Sequence, residues 1–218
     1  MEDQHTHNLD EENLEDATNE EDEIHEKGFL GKLALFFLEV IKIVILAGIT
    51  IGIVRYFLFK PFYVKGHSME PSFYEKDYLI IDEISYRFKG PERGEVVVFN
   101  SPVNDDYYLK RIIALPGERV KIADNKVVIY NDAYPRGVVL EEVYLEEETQ
   151  GEVSMTLGDT QYFVLGDNRD ASYDSRRFGA VSVDEIVGKV WFRGWPVSRV
   201  SGFDVPKYNF ISTTTITK

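Results

Sequence analysis

The single strongly apolar segment of this chain, within residues 28–59, constrains the fold more than any other feature. Its longest run without a charged residue has only twelve residues, too few to cross a hydrocarbon core about 30 Å thick as a helix. Extension to Leu35–Phe57 gives sufficient length and includes three charged residues near the ends, where long side chains reach the interface: Glu39, Lys42 and Arg55. We therefore predict one transmembrane anchor over residues 28–59.

The same pattern allows two alternatives to an anchor. A buried core helix has a similar composition. A cleaved signal peptide fits less well, because the leader is long and acidic and no small-x-small cleavage site follows the apolar run. Lysines flank the segment on both sides, so counting positive charges leaves its orientation open: Lys27 and Lys32 precede it, and Lys60 and Lys65 follow it.

Residues 1–27 carry most of the acidity of the chain. They hold twelve Asp or Glu and one Lys, and so contribute −11 to the formal charge of −14. Such a composition predicts a disordered acidic tail. The remainder is close to neutral and lacks the basic excess that phosphate contacts need, which argues against a nucleic-acid partner. The absence of cysteine excludes disulfides and thiolate metal sites.

From residue 60 to residue 203 the sequence predicts a mainly antiparallel β domain. Short apolar runs alternate with turn signals, and Asp124-Asn125 marks a hairpin. We expect the acidic stretch Glu141–Glu152 to be a surface loop or an edge strand, and residues 204–218 to be a C-terminal tail. The predicted strands are Tyr78–Ile81, Glu95–Phe99, Tyr107–Ala114, Val120–Ile122, Lys126–Tyr130, Gln161–Leu165 and Val187–Phe192.

A serine lies in the turn-like stretch Gly66–Ser72, just after the anchor. The stretch lacks the Gly-x-Ser-x-Gly elbow of α/β-hydrolases, and by itself it predicts only a turn. The one histidine of the domain, His67, directly precedes Ser68. Adjacent residues of an extended segment point to opposite sides, so His67 is poorly placed to act as the base of a Ser-His-Asp triad. If Ser68 is a nucleophile, another residue activates it.

Lys110 is a candidate for that base. It lies in a strongly apolar strand, on the same face as Tyr108 and Ile112. Burial there would disfavour the ammonium form and lower the lysine pKa towards the range of a general base. The alternative is an edge-strand lysine that reaches solvent. A third polar stretch, Gly166–Gly179, follows an apolar strand and predicts either a functional loop or a solvated turn.

The three stretches together resemble the bacterial type I signal peptidases in their compact, Gram-positive-like form. They read Ser-Met-x-Pro, then Tyr-x-Lys-Arg-x-x-x-x-Pro-Gly-Glu, then Gly-Asp-Asn-Arg-Asp-x-Ser-x-Asp-Ser-Arg, in that order after an apolar anchor. The resemblance extends from about Phe57 to Trp195. It implies an antiparallel β catalytic domain of the signal-peptidase and self-cleaving-repressor type. That domain would lie on the extracytoplasmic side of the cell membrane, after a cytoplasmic N-terminus and a single-pass anchor.

The resemblance also implies the roles of individual residues. Ser68 would be the nucleophile and Lys110 the general base. Some family members have a serine two residues before the nucleophile, where this chain has Gly66, so the oxyanion would rest on backbone. Around the dyad the resemblance implies one serine that orients the lysine, two supporting ion pairs, and three residues that shape the oxyanion and substrate pocket: Ser172; Arg111 with Asp167 and Asp174 with Arg176; Gly66, Met69 and Pro71.

The implied substrates are preprotein signal peptides with small residues at positions −1 and −3. They would bind as an added strand near Tyr78–Asp82 and Tyr107–Lys110. No metal or nucleotide cofactor is needed, and the implied partner besides the substrate is the lipid bilayer. Two alternatives remain: a Ser-Lys protease of the self-cleaving repressor type, and a catalytically inactive β module that only binds export substrates.

Overall fold

The structure, a computed structural model, describes residues 31–52, 59–206 and 208–212. The chain divides into two units, residues 1–54 and 55–218. The described part of the first unit is one helix, α1 (Gly31–Gly52), of 22 residues. At 1.5 Å per residue it is about 33 Å long, and it is long and apolar enough to cross a membrane. The predicted acidic tail, and the predicted end of the anchor at Phe57, lie outside the described residues.

Strands dominate the second unit, and the short helix α2 (Ser175–Phe178) lies between the ninth and tenth of them. In chain order the strands are β1 (Phe59–Tyr63), β2 (Tyr78–Asp82), β3 (Val96–Asn100), β4 (Tyr107–Ala114), β5 (Arg119–Ala123), β6 (Lys126–Asn131), β7 (Tyr134–Glu141), β8 (Val153–Thr156), β9 (Gln161–Leu165), β10 (Val181–Ser182), β11 (Ile186–Trp195), β12 (Ser201–Gly202) and β13 (Asn209–Ser212).

The strands form two antiparallel sheets. The larger sheet has the order β1-β2-β11-β3-β4-β9-β10, with β12 paired to β11, and the smaller has the order β13-β7-β6-β5-β8. The prediction of a mainly antiparallel β domain after an apolar helix is therefore confirmed. The predicted hairpin is also confirmed: Asp124 and Asn125 take φ values of 50° and 58° and connect β5 to β6, as a tight hairpin turn requires.

Six of the described strands were not expected from the sequence: β1, β7, β8, β10, β12 and β13. β1 contains Pro61, and β7 contains Pro135 and Gly137, residues that normally interrupt strand patterns. Gly137 has a φ of 84°, and a Cβ there would lie 2.6 Å from the ring of Tyr130, so the ring packs directly on the glycine. β13 pairs with β7 inside the region predicted as a C-terminal tail.

Two clusters of buried apolar side chains carry the site. One joins the sheets: β4 and β9 contribute Ile113 and Phe163, and the smaller sheet contributes Val120 and Ile129. The other lies below the turn that contains the candidate nucleophile, and its buried members are Val64, Met69, Phe73, Leu79, Ile81, Val96, Val98 and Val190. The site is therefore built on strands and turns that packing holds in place.

Candidate active site

Ser68 lies in a tight turn that is held by backbone hydrogen bonds and by buried side chains. The backbone N–H of Glu70 donates to the carbonyl of His67 at 3.2 Å, and the N–H of Phe73 donates to the carbonyl of Met69 at 2.8 Å. Met69 and Phe73 are 1% and 0% exposed and pack in the apolar cluster below. The buried side chains after Ser68 thus fix the turn, while Ser68 itself faces a groove.

Lys110 reaches the hydroxyl of this serine. It lies on β4 and is 5% exposed. Its Nζ donates to Ser68 Oγ at 2.8 Å and to the carbonyl of Leu109 at 2.9 Å, and it lies 5.6 Å from the centre of the Tyr108 ring. Lys110 is therefore a buried residue in contact with Ser68, and the alternative of an edge-strand lysine that reaches solvent is wrong.

The surroundings of Lys110 favour its neutral form. Burial lowers the pKa of Lys110 from 10.5 to about 8, against the carboxylates of Asp174 and Asp167, which raise it. Removal of an ammonium group from water disfavours the charged state, and nearby negative charge partly restores it. A substantial fraction of the amine is therefore unprotonated in mildly alkaline solution, as a general base requires.

His67 takes no part in this contact. Its side chain is exposed, and its Nδ1 lies 2.8 Å from Oε1 of Glu70. The hydrogen bond to Glu70, together with that negative charge, raises the pKa of His67. The Ser68 hydroxyl is therefore hydrogen-bonded to Lys110, whereas the neighbouring imidazole pairs with Glu70 at the surface.

The loop after β9 closes over the other side of Ser68. The backbone N–H of Asn168 donates to the Ser68 carbonyl at 3.1 Å. A Cβ at Gly166 would collide with both the Ser68 carbonyl oxygen and Ser172 Oγ, so only glycine fits between the two serines. Ser172 is 5% exposed, and its hydroxyl has no hydrogen-bond partner among the described residues.

The residues predicted to form supporting ion pairs contact each other. Arg111 donates from Nε and Nη2 to the two oxygens of Asp167 at 2.9 and 2.6 Å, and from Nη1 to the carbonyl of Gly94 at 2.8 Å. Arg176 donates to both oxygens of Asp174 at 2.9 Å. Asp174 also begins α2 as its N-cap and accepts a hydrogen bond from the N–H of Gly166. The two carboxylates thereby fix both ends of the loop.

A further ion pair near the loop was not predicted from the sequence. Arg169 is 1% exposed, donates from Nε to the carbonyl of Gly166 at 2.9 Å, and binds both oxygens of Glu142 at 2.6 and 2.9 Å. It also contacts Thr149 Oγ1. Glu142 is one of six glutamates between residues 141 and 152, and no spacing in that stretch distinguishes it from the other five.

Ser68 and Lys110 lie in a groove of about 600 Å³. Gly66 and Met69 line it, whereas Pro71, in the described turn beyond, is not part of the lining. Gly66 has a φ of 78°, and a Cβ there would meet no atom within 4 Å, so the groove is open beside the nucleophile. The lining comprises residues 62–69, 105–110, Leu79, Val98, Ala171 and Tyr173.

The strand edges along this groove correct one expectation. Tyr78–Asp82 is β2, which is paired with β1 on one side and with β11 on the other, so it cannot accept an added strand. β4 pairs with β9 only from Arg111 onward. Of the described strands, β1 and the first half of β4 therefore offer unpaired edges to the groove.

An antiparallel β domain in which a serine hydroxyl contacts a buried lysine is the arrangement expected of a serine peptidase. Residues 37–195 match the family described as "Signal peptidase, peptidase S26". The chain belongs to this family and is a bacterial type I signal peptidase, a serine endopeptidase. With the apolar helix α1, this membership identifies a membrane protein.

Two named relatives, from Synechocystis and Staphylococcus aureus, agree with this assignment. The chain is 40% identical over 172 residues to the probable signal peptidase I-2 of Synechocystis sp., covering 75% of this chain and 76% of the relative. It is 34% identical over 186 residues to signal peptidase IB of Staphylococcus aureus, covering 79% and 94%. A crystal structure of a signal peptidase I from Enterococcus faecalis matches with 34% identity and a TM-score of 0.41, covering 46% of this chain and 97% of that chain.

Proposed function

We propose that this protein is a membrane-bound endopeptidase that removes N-terminal signal peptides from secreted proteins, with Ser68 as nucleophile and Lys110 as general base. The observation that carries the proposal is the 2.8 Å contact between Ser68 Oγ and the buried Lys110 Nζ. Family membership supports the reaction and the substrate class.

The mechanism follows from the protonation state of the lysine. Neutral Lys110 accepts the proton of the Ser68 hydroxyl as that oxygen attacks the carbonyl carbon of the scissile bond. The resulting ammonium donates its proton to the leaving amine, and the C–N bond breaks to give an acyl-enzyme. A water molecule then takes the place of the amine and attacks the acyl carbon, with Lys110 again accepting its proton. The C–O bond to Ser68 breaks, and Lys110 returns the proton to Ser68 Oγ.

The oxyanion that forms in the attack needs hydrogen-bond donors. With Gly66 two residues before the nucleophile there is no hydroxyl at that position, so we assign this role to the backbone N–H of Ser68. The open space at Gly66 leaves room for the substrate carbonyl. The left-handed φ of 78° at this residue is one that glycine adopts without strain.

The supporting residues act by positioning. The hydroxyl of Ser172 is buried and has no hydrogen-bond partner among the described residues, Lys110 included. We assign to it the task of orienting the Lys110 amine during the reaction. The pairs Arg111–Asp167 and Arg176–Asp174 hold the loop that carries Ser172 against the nucleophile turn.

The substrate would bind as an extended strand along the free edges of β1 and the first half of β4. Small side chains at positions −1 and −3 would face the groove, where Met69, Leu79 and Val98 provide apolar walls. The reaction as written uses no metal and no nucleotide.

The anchor gives the reaction its location. We place the N-terminus and the tail 1–27 in the cytoplasm, the span within 28–59, and the peptidase domain 60–203 with the segment 204–218 outside. The predicted span ends at Phe57, about ten residues before Ser68, so a tether of this length would keep the nucleophile near the bilayer surface, where cleavage sites emerge. Confinement there raises the effective concentration of enzyme and substrate.

The test is to incubate the full chain, solubilised in detergent, with a secretory precursor and to determine the new N-terminus of the product. We expect cleavage after an Ala-x-Ala sequence. Ser68→Ala and Lys110→Met should each lower kcat/KM by at least about 10³-fold, since each removes a reacting group. Full cleavage by either variant would contradict the dyad. A folded wild-type protein that binds precursor without cleaving it would support the binding module instead.

A further inference from the structure

The guanidinium of Arg111 is held differently at its edge and on its face. Its hydrogen bonds to Asp167 and Gly94 lie in the plane of the group. One face is covered by the ring of Tyr144, whose centre lies 4.1 Å from Arg111 Cζ. Both residues also line a second cavity, of about 290 Å³. Without the ring, the guanidinium would have open space into which to turn.

The ring of Tyr144 is itself fixed by two contacts. Its hydroxyl donates to Glu142 Oε1 at 2.5 Å and lies 3.3 Å from the hydroxyl of Tyr208, whose ring meets it edge-on. Glu142 is in turn held by the buried Arg169. Burial raises the pKa of both phenols, that of Tyr208 to about 12, so both stay neutral between pH 5 and 10.

We propose that Tyr144 is a positioning residue, which holds Arg111 on Asp167 and thereby increases the fraction of Lys110 that is neutral. This inference rests on the proposed function, because it concerns the lysine as the base. Tyr144 lies outside the three motifs and is not among the residues that line the groove. Its effect would pass through the ion pair.

The sign of the effect follows from the charges around Lys110. Arg111 neutralises Asp167, and if the guanidinium turned away, the free carboxylate would stabilise the Lys110 ammonium and raise its pKa. Loss of the nearby positive charge acts in the same direction. Two carboxylates act on the charge of Lys110, Asp174 and Asp167, and each is paired with an arginine, Arg176 and Arg111 respectively. The other titratable groups that line the groove with Lys110 are Tyr63, Lys65, His67, Asp105, Asp106, Tyr107, Tyr108 and Tyr173.

The experiment is the pH profile of kcat/KM from pH 5 to 10 for the full chain, with a precursor as substrate. The acid limb of this profile is the part in which kcat/KM rises with pH as Lys110 loses its proton. For Tyr144→Leu we expect the midpoint of the acid limb to rise by about one pH unit, a shift typical of an uncompensated neighbouring charge. Activity would then fall about tenfold at pH 7 and little at pH 9.5. Tyr144→Phe retains the ring and should restore most of the wild-type profile.

The structure offers a matched control. Tyr130 lies 3.9 Å from Arg119 Cζ in the smaller sheet, away from the dyad, and Tyr130→Leu should leave the midpoint in place. If Tyr144→Leu does not fold, Tyr144→Met fills similar volume without the aromatic face and should show the same shift. A loss of equal size at every pH, with an unmoved midpoint, would overturn the proposal. A wild-type profile without an acid limb would instead contradict the lysine base.

Discussion

The two sheets differ in what they bury. The five-stranded sheet is apolar inside, since the buried side chains of β5, β6 and β7 are Val120, Ile122, Val127, Ile129, Val138, Val139 and Leu140. The eight-stranded sheet buries adjacent Lys110 and Arg111 on one strand, and acidic partners follow in the loop after β9. Buried charges cost free energy unless they are paired. The sheet that departs from the simple apolar pattern is the one that carries the site.

The domain also contains two buried ion pairs with similar geometry and different surroundings. Arg111–Asp167 lies next to the lysine, whereas Arg93–Glu118 lies at the start of β5. Both place a guanidinium nitrogen 2.6 Å from a carboxylate oxygen, and both acids are largely buried. They differ in that Asp167 is among the charges that shift the pKa of Lys110 and Glu118 is not, so they separate the contribution to stability from the contribution to catalysis.

The largest expected effect is that of Asp167→Asn. It removes the charge opposite a buried guanidinium, and it should lower the free energy of unfolding by about 3–5 kcal/mol. It also removes a carboxylate that raises the pKa of Lys110. The acid limb of kcat/KM should therefore move to lower pH, in the opposite direction to Tyr144→Leu. Denaturant melts and pH profiles measure the two effects.

Glu118→Gln is the control for this substitution. Glu118 accepts hydrogen bonds from Arg93, Asn131 and the N–H of Leu115, so we expect a comparable loss of stability. The acid limb should keep its wild-type midpoint, because Glu118 is not among the groups that shift the pKa of Lys110. If both variants moved the limb equally, the two ion pairs would not differ in function.

The wild-type pH profile is the second test. With a Lys110 pKa of about 8, the neutral fraction rises through that value, so kcat/KM should increase about fiftyfold between pH 6 and pH 8 and then level off. The hydrogen bond to Glu70 raises the pKa of His67, so the imidazole is the alternative source of such a limb. His67→Gln should nevertheless keep the midpoint near 8. A limb that disappears in that variant would assign the titration to the imidazole.

The sequence predicts the eight-stranded sheet better than its smaller partner. The strands around Lys110 are apolar runs bounded by turn signals, and the structure brings most of the motif residues together. The exceptions are Pro71, which lies outside the groove lining, and Ser172, whose hydroxyl has no hydrogen-bond partner among the described residues. β7 was missed because Pro135 and Gly137 suggest a turn. The sequence does not reveal that the Tyr130 ring covers that glycine, since the contact depends on the register of β6 with β7. Tertiary packing overrides local propensity here.

The contacts that hold Tyr144 against Arg111 could not be predicted from the sequence for a related reason. Glu142 and Tyr144 lie in an acidic stretch that looks like a solvated surface loop, and Tyr208 lies in a predicted tail. Their roles arise from long-range contacts with Arg169 and Arg111, and neither contact has a local spacing. The three motifs identify the residues proposed to act on the substrate. The residues that pack against those motifs, such as Tyr144, have no recognisable sequence pattern.

The smallest expected effect is that of Ile129→Val in the five-stranded sheet. Ile129 is fully buried in the cluster that joins the sheets, and loss of one methylene should cost about 0.5–1.5 kcal/mol of unfolding free energy. Because no charge changes, the acid limb of kcat/KM should stay at its wild-type midpoint. Thermal melts and the same pH profile check this. A shift of the acid limb would show that packing of the smaller sheet affects the protonation of Lys110. That result would contradict the view that the smaller sheet contributes to stability and the larger sheet to catalysis.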